Sequence, residues 1–229
     1  MSSSNERVAI VAGAGGELGR ATAEKLAAGG FTVVGVDRSE EGLKDLPDGI
    51  RREEADPTDP AAARSVVDRI AAEAGPPDVL VNTIGTYHLG EALTATPEDL
   101  RLMIDVNLGP ALWLTQAVTP YLRERGSGSI VHVAARPGLE PAAGMATYAV
   151  SKAALVHLTR VLDLELRPLG IRVNAVAPQL LDTAKTRPYL TPDLLAHAVA
   201  PEAIANIIVY LVSDAAAPVS GTVVPAYGA

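Results

Sequence analysis

Cysteine is absent from the 229-residue chain, which excludes disulfides and thiolate chemistry and leaves any zinc site to four scattered histidines and the carboxylates. No metal site is expected. An excess of basic charge is missing as well: 19 Lys and Arg against 27 Asp and Glu give a formal net charge of −8 and a pI near 5.0. Nucleic acid and anionic membrane both need a cationic surface, so neither is an expected partner, and a small-molecule substrate is. Apolar runs break off well before the 18 residues of a membrane span, and the opening MSSSNER is polar, unlike a secretory signal. The expected location is the cytoplasm. Repeats, low-complexity tracts and linkers are missing too, and one domain over residues 1–229 is expected.

What is present is an alternation. Short β-branched runs, RVAIVAG, FTVVGVD, DVLVNT, GSIVHVA and IRVNAVAP, are separated by Ala- and Leu-rich segments with helical spacing. Continuous apolar strands between helices predict a doubly wound parallel sheet covered on both faces, with a ligand at the carboxyl ends of its strands. Residues 184–201 fit this scheme less well and read as a loop with one short helix, a suitable substrate lid.

The first strand runs into GAGGELGRATAEKLAAGG, where Gly13, Gly16 and Gly19 precede an Ala-rich helix. Glycines let the backbone approach a pyrophosphate, and the helix N-terminus offers free N–H groups and a positive dipole end. A tight strand-to-helix turn would use the same residues. Asp37 separates the two readings, because it ends the second strand 18 residues after Gly19. A carboxylate there accepts the ribose hydroxyls of an adenosine and repels a 2′-phosphate. NAD(H) is therefore the expected cofactor; NADP(H) stays open because Arg38 stands beside Asp37.

Tyr148 and Lys152 lie four apart and share a helix face. An ammonium near a phenol is expected to lower the phenol's pKa and make it a proton donor and acceptor near neutral pH. Thirteen residues before the tyrosine, where a hydroxyl would hold a substrate oxygen, stands Ala135.

Taken in order, these residues resemble the short-chain dehydrogenases/reductases. The likeness covers nearly the whole chain: the glycine turn, Asp37, Asp56 in ADPTD, Asn82 and Gly85 in VNTIG, Asn107 in VNL, Tyr148 with Lys152, Asn174 and Pro178 in IRVNAVAP, and Thr183. It implies an α/β, Rossmann-like doubly wound sheet of about seven strands, and a homodimer or homotetramer formed through helices near 105–125 and 148–167. It further implies that Gly13, Gly16, Glu17, Leu18 and Gly19 line the pyrophosphate, that Asp56 meets adenine, and that Asn82 and Gly85 lie beside the adenine ribose and its loop. Pro178 and Thr183 would hold the nicotinamide side. Tyr148 would donate the proton, Lys152 would bond the nicotinamide ribose, and Asn107 would hold a water joining that lysine to solvent.

The departures from the family pattern are Ala12, Glu17, Gln179 and Ala135. One branch resembles this chain in several of its features, the dihydropteridine reductases: G-x-x-G-x-L-G, an alanine at the serine position followed by a basic residue (Arg136), Gly144-Met145 before the tyrosine, and P-x-x-L-D-T from Pro178 to Thr183. A missing oxyanion donor costs on the order of 2.7–4 kcal/mol of transition-state stabilisation. The loss matters less for an imine, a quinonoid ring or an activated C=C, or where Arg136, Thr83 or a water serves as donor. The leading expectation is an NAD(P)-dependent oxidoreductase passing hydride to a small organic acceptor, a quinonoid ring or imine, an activated C=C or a carbonyl, with Tyr148 as proton donor. Its alternatives are a 3-oxoacyl or keto reductase with a substitute donor, and a catalytically silent nucleotide-sensing or interaction protein. Tyr87, His88, Arg136, Glu140, Met145 and residues 185–195 are the expected neighbours of the substrate.

Overall fold

The computed structural model describes residues 7–228; most of the polar MSSSNER opening lies outside the described residues. The five β-branched runs form strands β1 (Val8–Ala12), β2 (Thr32–Asp37), β4 (Pro77–Asn82), β5 (Gly128–Val133) and β6 (Ile171–Pro178). Two strands escape a reading by apolar pattern. They are β3 (Arg51–Glu54), whose sequence is RREE, and β7 (Val223–Ala226), which contains Pro225. Both are sheet edges in the order β3-β2-β1-β4-β5-β6-β7, with every pairing parallel. Edge strands face solvent on one side, where charge and proline are tolerated and discourage further pairing.

Helices α1 (Glu17–Ala28), α2 (Glu40–Leu43), α3 (Pro60–Glu73), α4 (Pro97–Asn107), α5 (Gly109–Arg125), α6 (Ala146–Leu166), α7 (Pro192–Ala196) and α8 (Pro201–Val212) complete the fold. Alternate strand residues feed two cores. Ala9, Val11, Val79, Val131 and Val176 pack with Leu26 of α1 and with Ile204 and Ile208 of α8. Ile10, Val34, Leu80, Ile130 and Val173 pack with Val67 of α3, Leu114 of α5 and Leu162 of α6. Each buried aliphatic side chain contributes about 1.5–3 kcal/mol, and the alternation between the two cores fixes the register of the strands. No helix among the described residues is long and apolar enough to cross a membrane.

The helix expected near 105–125 is two helices. Pro110 stands in the first turn of α5 and cannot continue the hydrogen bonding of α4, so the chain breaks at Leu108. Asn107 is thereby the last residue of α4, which a Thr96–Asp99 capping box anchors at its other end. The two helices near 105–125 and 148–167 that the resemblance assigns to subunit pairing differ in their surfaces. Val150 and Leu164 of α6 are exposed, whereas Trp113 and Tyr121 of α5 pack against the core, and none of its large apolar side chains is exposed among the described residues.

Candidate active site

At the end of β1 the backbone turns sharply, and the N–H groups of Gly13 and Ala14 donate to Val36 O at 2.8 and 3.1 Å. Gly13 has φ +83°, and a Cβ there would lie 2.6 Å from Thr83 Oγ1; one on Gly19 would overlap the Gly13 carbonyl. Only glycine fits either place. Gly16 caps α1 without any side-chain hydrogen bond to the first turn, leaving backbone donors and the dipole facing outward. Asp37 closes the turn on one side: Gly15 N–H donates to Oδ2 at 3.0 Å and Ser39 N–H to Oδ1 at 3.3 Å. A cradle of bare backbone with one carboxylate at its rim fits a dinucleotide's pyrophosphate and adenosine ribose.

The remaining nucleotide residues are placed unevenly. The Leu18 side chain is buried in the core, so only its backbone faces the turn. Arg38 is exposed. The exposed Asp56 accepts from Thr58 N–H and O–H through Oδ1 at 3.0 and 2.8 Å. Asn82, buried at the end of β4, accepts from Ile84 N–H at 3.1 Å and so orders the following loop rather than reaching outward. Pro178 is buried at the end of β6, with Thr183 five residues on, its hydroxyl 2.9 Å from that of Thr186. The Glu17 carboxylate points across the cleft, where Ala184 N–H donates to Oε1 at 2.8 Å. Asn174 braces β6 against the start of β7, donating to Val219 O and accepting from Thr222 N–H at 3.0 and 3.1 Å.

The chemical residues meet beside the loop after β4. That loop is stitched to the entry of α6 by Gly90 N–H to Gly144 O and Ala146 N–H to Gly90 O, at 2.8 and 3.1 Å. A Cβ on Gly85 would lie 3.0 Å from both Asn107 Oδ1 and Lys152 Nζ, so the loop threads between these two groups because the residue is glycine. Asn107 is fully buried and fully engaged: Thr86 N–H donates to Oδ1 at 2.9 Å, and Nδ2 donates to Ser151 Oγ at 3.0 Å. Ser151 Oγ in turn donates to Tyr148 O at 2.7 Å. Asn107 therefore braces α4 against α6.

Lys152 is 4% exposed, and Nζ donates to Val133 O at 2.8 Å. Burial lowers its pKa to about 8. The expected lowering of the tyrosine is reversed: burial pushes Tyr148 up to about 12. The ammonium is turned to a carbonyl, and the phenol makes no hydrogen bond among the described residues. Beneath them lies His132, wholly buried, with Nε2 3.5 Å from Thr115 Oγ1 and Nδ1 without a hydrogen-bond partner. Burial first, and the charge of Lys152 second, lower its pKa to about 4. Sequence reading passed over His132, Ser151 and Val133. The first two carry no motif, and a backbone carbonyl carries no sequence signal at all.

Ala135 is buried in extended backbone (φ −163°, ψ 158°) between β5 and a single 3₁₀ turn, with only a methyl group to offer. Arg136 follows. Its Nε donates to Glu140 Oε2 and its Nη1 to Gln179 Oε1, each at 2.8 Å, with the guanidinium 4.9 Å above the Tyr227 ring. Arg136, Glu140 and Gln179 border a 350 Å³ cavity whose other walls include Met145, Leu180, Leu190 and Leu194. Of the segment 184–201, Leu190 and Leu194 line this cavity. Tyr87 and His88 stand apart from this cavity, His88 facing Asp99 at 3.6 Å.

A model of the short chain dehydrogenase family matches residues 7–193. The chain is 33% identical to the 3-oxoacyl-(acyl-carrier-protein) reductase FabG of Escherichia coli over 228 residues, spanning 94% of this chain and 93% of the relative. Against the short-chain reductase protein NovJ of Streptomyces niveus it is 39% identical over 190 residues, 79% of this chain and 71% of the other. The crystal structure of L-sorbose reductase from Gluconobacter frateurii, complexed with NADPH and L-sorbose, superimposes with a TM-score of 0.90 at 27% identity, covering 97% and 95% of the two chains.

Proposed function

From the premise that the chain belongs to the short-chain dehydrogenase/reductase family and is an NAD(P)-dependent oxidoreductase, we propose that it reduces a small organic acceptor with Tyr148 as proton donor. The observation that carries this reading is the meeting of Asn107 and Lys152 around Gly85, with Tyr148 one turn before Lys152 on α6. When bound, the nicotinamide cofactor supplies the hydride. Burial holds the Tyr148 pKa up to about 12, so the phenol carries its proton at neutral pH and gives it up only where a nearby positive charge supports the phenolate. Lys152, one helical turn on, stays charged below about pH 8 and stabilises the phenolate that forms. Asn107, through Ser151 and Thr86, holds both helices and the loop in place.

The acceptor class follows from Ala135. With no hydroxyl at that place, an acceptor that needs little oxyanion support is favoured: an imine, a quinonoid ring or an activated C=C, as in the dihydropteridine-reductase-like reading of Arg136, Gly144-Met145 and the Pro178–Thr183 stretch. A cavity walled by leucines, prolines and Met145, and carrying the Arg136 guanidinium, the Glu140 carboxylate and the Gln179 amide, suits a partly apolar molecule with a few polar groups. A second reading, 3-oxoacyl or keto-group reduction, is supported by the likeness to FabG along nearly the whole chain, with Arg136 as the substitute donor. Asp37 favours NADH over NADPH, and tighter binding of NADPH would refute that preference. The exposed Val150 and Leu164 on α6 suit a second copy of the chain, as a homodimer or homotetramer in the cytoplasm.

The test is consumption of NADH and NADPH with a quinonoid dihydropterin, a quinone, a cyclic imine, a 3-oxoacyl thioester and a simple ketone. Turnover greatest with the ring and imine acceptors is expected. Turnover greatest with the thioester would establish the second reading, and nucleotide binding without turnover of any acceptor would overturn both.

A further inference from the structure

Glu17 is an anomaly of charge. It is the first residue of α1, at the mouth of a turn otherwise built of glycine and backbone. A carboxylate is stabilised at a helix N-terminus by the dipole, but a pyrophosphate uses the same donors and the same field. Two anions at one terminus repel. A glutamate kept here is compatible with the nucleotide only if its side chain is held away and employed elsewhere.

It is so held. Ala184 N–H donates to Glu17 Oε1 at 2.8 Å across 167 residues of sequence. Among the described residues no other hydrogen bond joins the glycine turn and α1 to residues 184–200. Beside this tie, Arg187 and Ala200 share a pocket with Glu17 and Arg20, and Val199 packs on the core, while further hydrogen bonds of the segment run to residues 180–187. Thr183 and Thr186 share hydroxyl and N–H bonds, Arg187 Nη2 donates to Asp182 Oδ2 at 2.9 Å, and Asp182 N–H and Val199 N–H pair the two ends at 2.9 and 2.8 Å. The segment then carries Leu190 and Leu194 to the wall of the acceptor cavity. We propose that Glu17 is a positioning residue, a latch by which the nucleotide turn holds the acceptor-side segment 184–201, so that the geometry of the acceptor cavity depends on a contact made at the pyrophosphate end of the cleft.

The inference rests on the nucleotide and acceptor sites proposed above, and its test separates the two. Glu17→Ala removes the latch; Glu17→Gln removes the charge and keeps an oxygen able to accept from Ala184. Three quantities are read: the rate of limited proteolysis within 184–201, NADH binding by fluorescence, and the acceptor's KM and kcat. Glu17→Ala is expected to be cleaved about tenfold faster and to raise acceptor KM about tenfold, with a larger effect on KM than on kcat, the scale of one hydrogen bond. Glu17→Gln is expected to restore both, while both variants still bind NADH. Cleavage unchanged in Glu17→Ala, equal cleavage in the two variants, or NADH binding lost in both would overturn the latch. Proteolysis and NADH binding need no turnover, so they decide the latch even where no acceptor is reduced, a result that would sink only the reductase reading.

Discussion

At the nucleotide end of the cleft the groups on offer are mostly backbone: the turn from Gly13 to Gly19, pinned by Val36 O, and the uncapped start of α1. At the chemical end they are side chains held by distant partners, as Lys152 is by Val133 O, Asn107 by Thr86 and Ser151, and Arg136 by Gln179. A backbone cradle is specified locally, by where glycine stands. A side-chain cluster is specified by the whole fold, each member braced by residues far away in sequence. The nucleotide end therefore identifies the kind of reaction, and the chemical end must identify the acceptor.

The sharpest way to separate the two ends is Tyr148→Phe. Removing the proton donor is expected to lower turnover by about 10²–10⁴, while the NADH dissociation constant stays within about twofold. Equal loss of both would show that the two ends are not separable. The next effect in size concerns the floor of the chemical end. His132 has its pKa lowered from 6.5 to about 4, so between those values the unfolded chain binds a proton that the folded chain refuses. Stability is fully present above pH 6.5 and falls as pH drops toward 4, by about 3 kcal/mol at most. Denaturant unfolding at pH 6.5 and 4.5 should show the drop, and His132→Leu should flatten it; parallel curves for the two proteins would contradict this account of the floor. The smallest effect is expected at Ala135→Ser, which should change reduction of ring and imine acceptors by less than about threefold. A gain in ketone turnover approaching the hundredfold or so that an oxyanion donor supplies would instead favour keto reduction.

The same contrast explains what the sequence disclosed. The five buried strands, the glycine turn and the Tyr148–Lys152 spacing were readable because periodicity and fixed offsets are local properties. Strands β3 and β7 were not, since an edge built of RREE or interrupted by Pro225 carries no buried apolar run. The break at Leu108 followed from Pro110 but was hidden by apolar residues on both sides of it. Nor could spacing reveal that Lys152 turns to Val133 O, that burial raises Tyr148, or that Glu17 reaches Ala184, because those partners meet only when the sheet has assembled. Asp37 lies between the two cases: its position was legible, its bond to Gly15 N–H was not.

The central claim is that a hydride crosses from the nucleotide end to an acceptor held at the chemical end, and isotope transfer tests it most directly. With NADH deuterated at C4 on the transferred face and a cyclic imine or activated C=C as acceptor, where the transferred deuterium stays on carbon, the expected product carries one deuterium at the reduced carbon, formed in step with NADH oxidation and lost with Tyr148→Phe. A product without the label, or label transfer undiminished in Tyr148→Phe, would contradict it.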